Sequence, residues 1–347
     1  MKKRHLILLV VTVLLLSLSL SAYAKVKVEF WHGLGGHTGS HILQQFIDDF
    51  NASQDEVEVV AVYQGNYDDT LNKYRLAVQA GTPPHLVHVY EIGTRLMIDL
   101  DSSVSLQPFL DRGDLELDYM VENVLSYYTI DGQLYSMPFN TSNPIIYYNK
   151  DMFREAGLDP EKPPVTFEEF REYAKLMTGD GKYGFGNYAY GWYFEQLMAV
   201  QNAEYVNNGN GRLGTATEAT FNSEAGVRIL QWFADMMADG SYLHTGRDSG
   251  ALRSAFVSGN VGMRLGSTGG LASTMADIGD RFEMGVAFLP VPEGMERGGV
   301  IIGGGSIWMA KGHPEEEIEA AWKFLKHLTS PESTAYWHVN TGYFPID

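Results

Sequence analysis

Five segments between Lys25 and Tyr90 alternate between two hydrophobic periods, and that succession limits the fold more than any other feature of the chain. KVKVEFW at 25–31 alternates polar and apolar residues, the period of a half-buried strand. A glycine-rich turn, HGLGGHTGS, follows it. His41–Phe50 then carries apolar residues at 42, 43, 46, 47 and 50, one face of a helix. VEVVAVY at 57–63 reads as a second strand, 68–80 as a second helix stopped by Gly81-Thr82-Pro83-Pro84, and LVHVY at 86–90 as a third strand. Strands separated by helices pair in parallel, with helices on both faces of the sheet. Ligands of such sheets sit beyond the carboxyl ends of the strands.

A second block repeats the mixture. PIIYYN at 144–149 reads as a strand, and NKDMFREAG as a short helix closed by Gly157. Thr166 is an N-cap with acids after it, opening a helix to about Met177. Further helices are expected over 224–239, 251–258 and 314–328, with an N-cap around His313-Pro314, and a strand over 261–266. Residues 282–290 and 300–309 read as a strand pair. The fold class expected is α/β, with two lobes and a cleft between them. The first lobe would hold 25–139 plus about 268–308; the second would hold 140–267 plus about 309–347.

The N-terminus is read as a leader. Lys2, Lys3 and Arg4 precede an apolar run from Leu6 to Leu20, and Ala22-Tyr23-Ala24 is a small-x-small cleavage site, so residues 1–24 form a secretory signal peptide. The apolar run is short for a membrane anchor. This places the protein in the periplasm or another extracytoplasmic space. There are no cysteines, which excludes a lipidated leader, thiol catalysis and Cys-ligated zinc. The formal charge is −18, three units more negative once the leader's basic residues are gone. That balance disfavours nucleic acid or an anionic membrane as a partner.

Enzyme signatures do not fit. The glycines of GLGGHTG miss the G-x-G-x-x-G spacing, and no P-loop, H-E-x-x-H or G-x-S-x-G occurs. His85 and His88, three apart in a strand, face opposite ways and cannot share a metal. His32, His37 and His41 fit surface or capping roles. Glu168-Glu169 and Glu315–Glu317 suit first turns of helices. No base is paired with a nucleophile, so no catalytic residue, metal or cofactor is assigned.

Polar and aromatic residues instead collect at strand ends. Tyr67 follows the second strand and Glu91 the third. Asn140, Thr141 and Ser142 begin the passage to the second block. Tyr188, Tyr190 and Trp192 surround Gly191, and Ser267 and Thr268 end a strand. Tyr343 lies near the C-terminus, and three glycines interrupt VIIGGGSIWM at 303–305. Hydroxyls, amides, one carboxylate and exposed rings on one side of two sheets make a polar small-molecule cleft. Glycine amides can form a nest for an anion.

These stretches carry a resemblance. FWHG at 30–33, YQGNY at 63–67, VYEIGT at 89–94, PFNTSNPIIYYNKDMFREAGLDPEKPP at 138–164, IIGGGSIW at 301–308 and WHVNTGYFPI at 337–346 span nearly the whole chain after the leader. The chain resembles the extracytoplasmic solute-binding proteins of carbohydrate-type ABC importers, and GNY with VYEIGT points to the branch that binds sn-glycerol 3-phosphate. The resemblance implies two lobes hinged around a ligand and delivery to the importer's permease. It implies ligand contacts at Tyr67, Glu91, Ser142, Ser267, Gly304 and Tyr343. Glu91 would hold the glycerol hydroxyls, and an aromatic near Trp192 would cover the carbon chain. Ser142, Ser267, the Gly304 amide and Tyr343 would hold the phosphate, with the glycines letting it reach the backbone. The resemblance also implies truncation: the family continues past TGY-x-PI, where a tail supplies a phosphate-binding arginine. A single tryptophan at 188–192, where the family has two, leaves open a glycerophosphodiester or a neutral oligosaccharide as ligand. A phosphoester hydrolase would need a metal cluster or a nucleophile-base pair.

Overall fold

A computed structural model describes residues 24–35 and 37–346, with His37 and Thr38 in backbone only. The expected leader lies outside the described residues apart from Ala24. Among the described residues no helix is long and apolar enough to cross a membrane.

The strand–helix alternation folds as its periodicity requires. Strands β1 (Val26–His32), β2 (Val57–Tyr63) and β3 (Leu86–Tyr90) are parallel, with Val26 opposite Val57 and Phe30 opposite Leu86. Helices α1 (His37–Ser53) and α2 (Tyr67–Ala80) are the crossovers. Asn66 caps α2 by accepting from the Asp69 N–H while the Asp69 carboxylate accepts from the Asn66 N–H, which fixes Tyr67 as the first helical residue. Two antiparallel strands, β4 (Ser136–Pro138) and β10 (Gly305–Met309), complete a five-stranded sheet ordered β2-β1-β3-β10-β4.

The second sheet is ordered β9-β5-β8-β6-β7. Its strands are β5 (Pro144–Asn149), β6 (Tyr183–Asn187), β7 (Tyr242–His244), β8 (Val261–Ser267) and β9 (Met284–Ala287). Helix α3 (Gly191–Ala199) follows β6. Each sheet has its own core. Val28, Phe30, Val57, Leu86 and Ile307 pack with Leu43, Phe46 and Phe50 of α1 in the first. Ile146, Phe153, Phe170, Phe185, Trp232 and Met263 pack in the second. The architecture is two-lobed α/β.

The expected strand pair over 282–290 and 300–309 does not form. β9 pairs with β5 in the second sheet, and β10 pairs with β3 in the first. Residues 268 to about 300 therefore stay with the second lobe. The chain's last two helices, α4 (Glu315–Leu328) and α5 (Pro331–Thr341), pack into the first core through Trp322, Phe324, Leu325, Leu328 and Trp337. The expected boundaries are corrected at both points. An amphipathic stretch declares that it will be buried but not against which sheet.

Two extended segments cross between the sheets, one from β4 to β5 and one from β9 to β10. They are paired with each other: the Ser142 N–H donates to the Gly303 carbonyl at 2.9 Å, and the Gly303 N–H to the Ser142 carbonyl at 2.7 Å.

Candidate functional site

The three glycines at this ribbon are each crowded by the protein's own atoms, backbone at Gly304 and side chains at Gly303 and Gly305. A Cβ on Gly304, whose φ is +88°, would lie 1.8 Å from the Asn140 carbonyl oxygen. One on Gly303 would meet the Trp192 ring at 2.6 Å and Ser142 Oγ at 2.7 Å, and one on Gly305 would meet His88 Nε2 at 2.5 Å. The resemblance implied that these glycines let a phosphate reach the backbone. Within the protein they also admit the partner strand of the crossing, a tryptophan and a histidine.

Around the ribbon the seven expected residues converge. Glu91 begins the turn after β3, and its N–H donates to the Gly304 carbonyl at 3.0 Å. Ser142 pairs with Gly303, and Trp192 packs on it. Ser267 ends β8 opposite Pro144, the first residue of β5. The Tyr343 ring lies against Gly269, two residues beyond Ser267, and the next N–H, of Phe344, donates to the Thr141 carbonyl at 2.8 Å. Tyr67 shares a hydrogen bond with Tyr343. The sheets deliver these residues because β3 and β8 end where the antiparallel strands β10 and β5 begin.

Trp192 departs from the expectation of an exposed ring. It is 4% exposed and belongs to the second core, whereas Tyr190 is 38% exposed. The hydroxyl of Tyr190 is close enough to feel the charges of Glu91 and Asp68. Tyr190 is thus the ring presented at the junction of the lobes, with Trp192 as its floor.

Electrostatics separate two regions. Glu91 is 4% exposed, and no cation pairs with it among the described residues. Burial, reinforced by the charge of Glu195 on α3, pushes its carboxyl up to about 8. Burial alone raises Glu195. The second region is a relay that the sequence did not disclose. The Asn140 Nδ2–H donates to the Tyr67 hydroxyl at 2.9 Å, so the Tyr67 O–H is left to donate elsewhere. Asn140 Oδ1 in turn lies 2.8 Å from His88 Nε2, and burial pushes His88 down to about 4. Its signal was present: a histidine inside the apolar run LVHVY needs a buried partner.

Among the other histidines, His32 differs from expectation. His32 is buried rather than superficial, its ring 5.7 Å from that of Tyr63, and burial lowers it to about 4. His41 is exposed, and the His37 side chain lies outside those described. His85 does face away from His88. It meets His313 and Glu317, with Nε2 3.0 Å from Glu317 Oε2. Its Nδ1 accepts from the Glu29 N–H at 3.0 Å, so the proton sits on Nε2. The two imidazoles stack with centroids 4.0 Å apart. Stacked rings aim their lone pairs in parallel and not at one ion, so this is a hydrogen-bonded triad and not a metal cage.

A cavity of about 620 Å³ in the second lobe is lined by Tyr188, Tyr190, Tyr193, Phe233, Tyr242 and Arg247 among others, and by none of the seven residues. Another of about 630 Å³, between Tyr148, Pro164 and Phe288, is at the outer edge of the second sheet and holds none of the clustered residues.

Comparisons with known proteins follow this geometry. The family model described as bacterial extracellular solute-binding protein matches residues 45–347. The sn-glycerol-3-phosphate-binding periplasmic protein UgpB of Yersinia pestis is 34% identical over 331 residues, covering 92% of this chain and 74% of that protein. UgpB of Salmonella typhimurium is 34% identical over 330 residues, with the same shares. Among solved structures, UgpB from Mycobacterium tuberculosis in complex with glycerophosphocholine superposes with a TM-score of 0.81 at 23% identity, covering 92% of this chain and 81% of that one. Maltose-bound MalE3 of T. maritima superposes at 0.77 and 21% identity, with the same coverage.

Proposed function

The chain belongs to the bacterial extracellular solute-binding proteins, and from that premise we propose that it captures sn-glycerol 3-phosphate between its lobes and hands it to the transmembrane subunits of an ABC importer. One observation carries the reading. A buried carboxyl with no cation, Glu91, stands at the same junction as a set of hydroxyls and main-chain amides from both lobes. A carboxyl of that kind suits ligand hydroxyls, and the set of Ser142, Ser267, Tyr343 and the Gly304 amide suits phosphate oxygens. Tyr67 contributes a hydroxyl that accepts from Asn140 and shares its other hydrogen bond with Tyr343, which ties the two rings together at the site. Tyr190 covers the carbon chain above Trp192. The lobes would close by rotating about the Ser142–Gly303 ribbon. Export through the leader at 1–24 would place this receptor in the periplasm.

Calorimetric titration with glycerol 3-phosphate, glycerophosphocholine and maltose tests the proposal. Saturable binding of maltose with none of the glycerol phosphates rejects it. A second reading, a glycerophosphodiester as the main ligand, is favoured by Tyr190, a ring 38% exposed at the junction that can cover more than a glycerol unit. Tighter binding of glycerophosphocholine than of glycerol 3-phosphate selects it.

A further inference from the structure

The second lobe buries a cation that has no counter-ion among the described residues. Arg264 projects from the middle of β8, a strand with every other member apolar or glycine until Ser267, and it is 8% exposed. Its guanidinium lies over two rings, 4.7 Å from the centroid of Tyr147 and 5.1 Å from that of Phe256. Nη2 donates to Thr274 Oγ1 at 3.2 Å, and among the described residues Nε has no partner. The nearby acid is taken, because Asp277 pairs with Arg253 at 2.6 Å. The remaining ionisable groups that face Arg264 are the hydroxyls of Tyr147, Tyr188 and Tyr193. A buried charge with no opposite partner costs several kcal/mol, and an arginine on an apolar face could be replaced by methionine or leucine without that cost.

The place of this charge gives it a use. Tyr147, the ring that Arg264 stacks on, donates from its hydroxyl to the Ser267 carbonyl at 2.6 Å. The guanidinium thus stands one ring behind the strand end where the anionic part of a ligand would sit. Between them lies packed protein, where a charge acts over several ångströms with little screening. On the other side of the junction, in the first lobe, stands Glu91.

We propose that Arg264 is a specificity-determining residue: its charge, held behind the Tyr147–Ser267 wall, selects a ligand with an anionic end and orients that end toward the second lobe. It is a positioning residue that acts through Tyr147 and Ser267 and does not touch the ligand. The inference rests on the reading of the junction as the binding site for a phosphate-bearing polyol, and it adds the source of charge selection.

Two variants of the full chain test it. Arg264→Gln removes the charge. Thr274→Asp leaves the arginine in place and sets a carboxylate beside it. Calorimetry at pH 8 compares glycerol 3-phosphate, a dianion there, with glycerophosphocholine, whose phosphate carries one charge. Both variants should raise the Kd for glycerol 3-phosphate by about tenfold or more, and that for glycerophosphocholine by less. Raising salt should erode wild-type affinity for glycerol 3-phosphate little, because the charge is buried. If wild type binds and a folded variant matches it within about twofold, the inference fails while the proposed function stands. Equal losses for both ligands also overturn it, since they mark a merely structural residue. If Arg264→Gln does not fold, Thr274→Asp alone decides by the same ratio. If wild type binds neither ligand, the proposed function fails and this inference with it.

Discussion

His88 Nε2 lies 2.8 Å from Asn140 Oδ1, and this single contact determines what Tyr67 can offer a ligand. With its oxygen held by the histidine, Asn140 must turn its amide to Tyr67, and the Tyr67 hydroxyl accepts at 2.9 Å. The tyrosine is left as a donor. Asn140→Leu removes both bonds and strands a buried histidine, while the Tyr67 hydroxyl keeps only its bond with Tyr343. Each unpaired group costs about 1–3 kcal/mol. The variant should melt several degrees lower and bind glycerol 3-phosphate more weakly, in thermal scans with and without ligand. Tyr67→Phe should weaken binding and lower the melting temperature of the free protein by less than Asn140→Leu does, because it leaves only the Asn140 amide unpaired. Equal binding by Tyr67→Phe and wild type would remove Tyr67 from the site.

Gly304 cannot be replaced. Its φ is +88°, and a Cβ would collide with the Asn140 carbonyl at 1.8 Å, which is backbone and cannot swing aside. Gly304→Ala should cost roughly 2 kcal/mol or more in urea unfolding. Gly312 also has a positive φ, +95°, but open space around it, so Gly312→Ala separates backbone strain from collision. A smaller loss at Gly312 than at Gly304 is expected.

Much of this arrangement was legible in sequence, for a reason that also sets the limit. Hydrophobic period is local, so β1 through β3 and both crossovers could be read from LVHVY, VEVVAVY and their neighbours. Strand ends follow from strands, and so Tyr67, Glu91, Ser142, Ser267 and Tyr343 could be named as a group. Pairing is not local. Nothing in IIGGGSIWM says that Gly305 will sit opposite Tyr90, or that Trp322 and Trp337 will return to the first core. The partners of the buried polar residues His88, Asn140 and Arg264 were hidden for the same cause, since what a buried group pairs with is decided by a chain segment far away. Glycine was legible as close approach but not as approach by what.

Glu91 and His88 tie stability to pH in opposite directions. Burial raises the folded carboxyl of Glu91 to about 8 from 4.5, so the folded state binds the extra proton between those values. Its contribution is complete below 4.5 and is lost as pH rises through 8, at up to roughly 1.4 kcal/mol per unit. His88 falls to about 4 from 6.5, so its contribution is complete above 6.5 and lost as pH falls toward 4. Glu91→Gln should flatten the alkaline limb of stability against pH while leaving the acid limb alone. Denaturant midpoints at pH 5, 7 and 9 test this; an unchanged alkaline slope would place the proton elsewhere.

The two lobes also touch away from the ribbon, through Arg212 and Tyr127. Arg212 Nη2 donates to the Tyr127 carbonyl at 3.0 Å, and its guanidinium lies 4.7 Å from the centroid of that ring. Tyr127 packs on the first core, and its hydroxyl donates to the Glu91 carbonyl at 3.1 Å. Arg212 follows a turn in which Asn208, Gly209 and Asn210 all adopt left-handed conformations, and this places it across the junction. Exposed contacts of this type contribute no more than about 1 kcal/mol. That is small against the fold but not against an equilibrium between open and closed lobes, where 1 kcal/mol shifts populations about fivefold. Arg212→Ala should therefore leave the denaturant midpoint within error and raise the ligand Kd by a few-fold. It should also increase the radius of gyration of the free protein in solution scattering, with the liganded form unchanged. A variant with wild-type Kd and wild-type scattering would mean that the contact rides on closure without contributing to it.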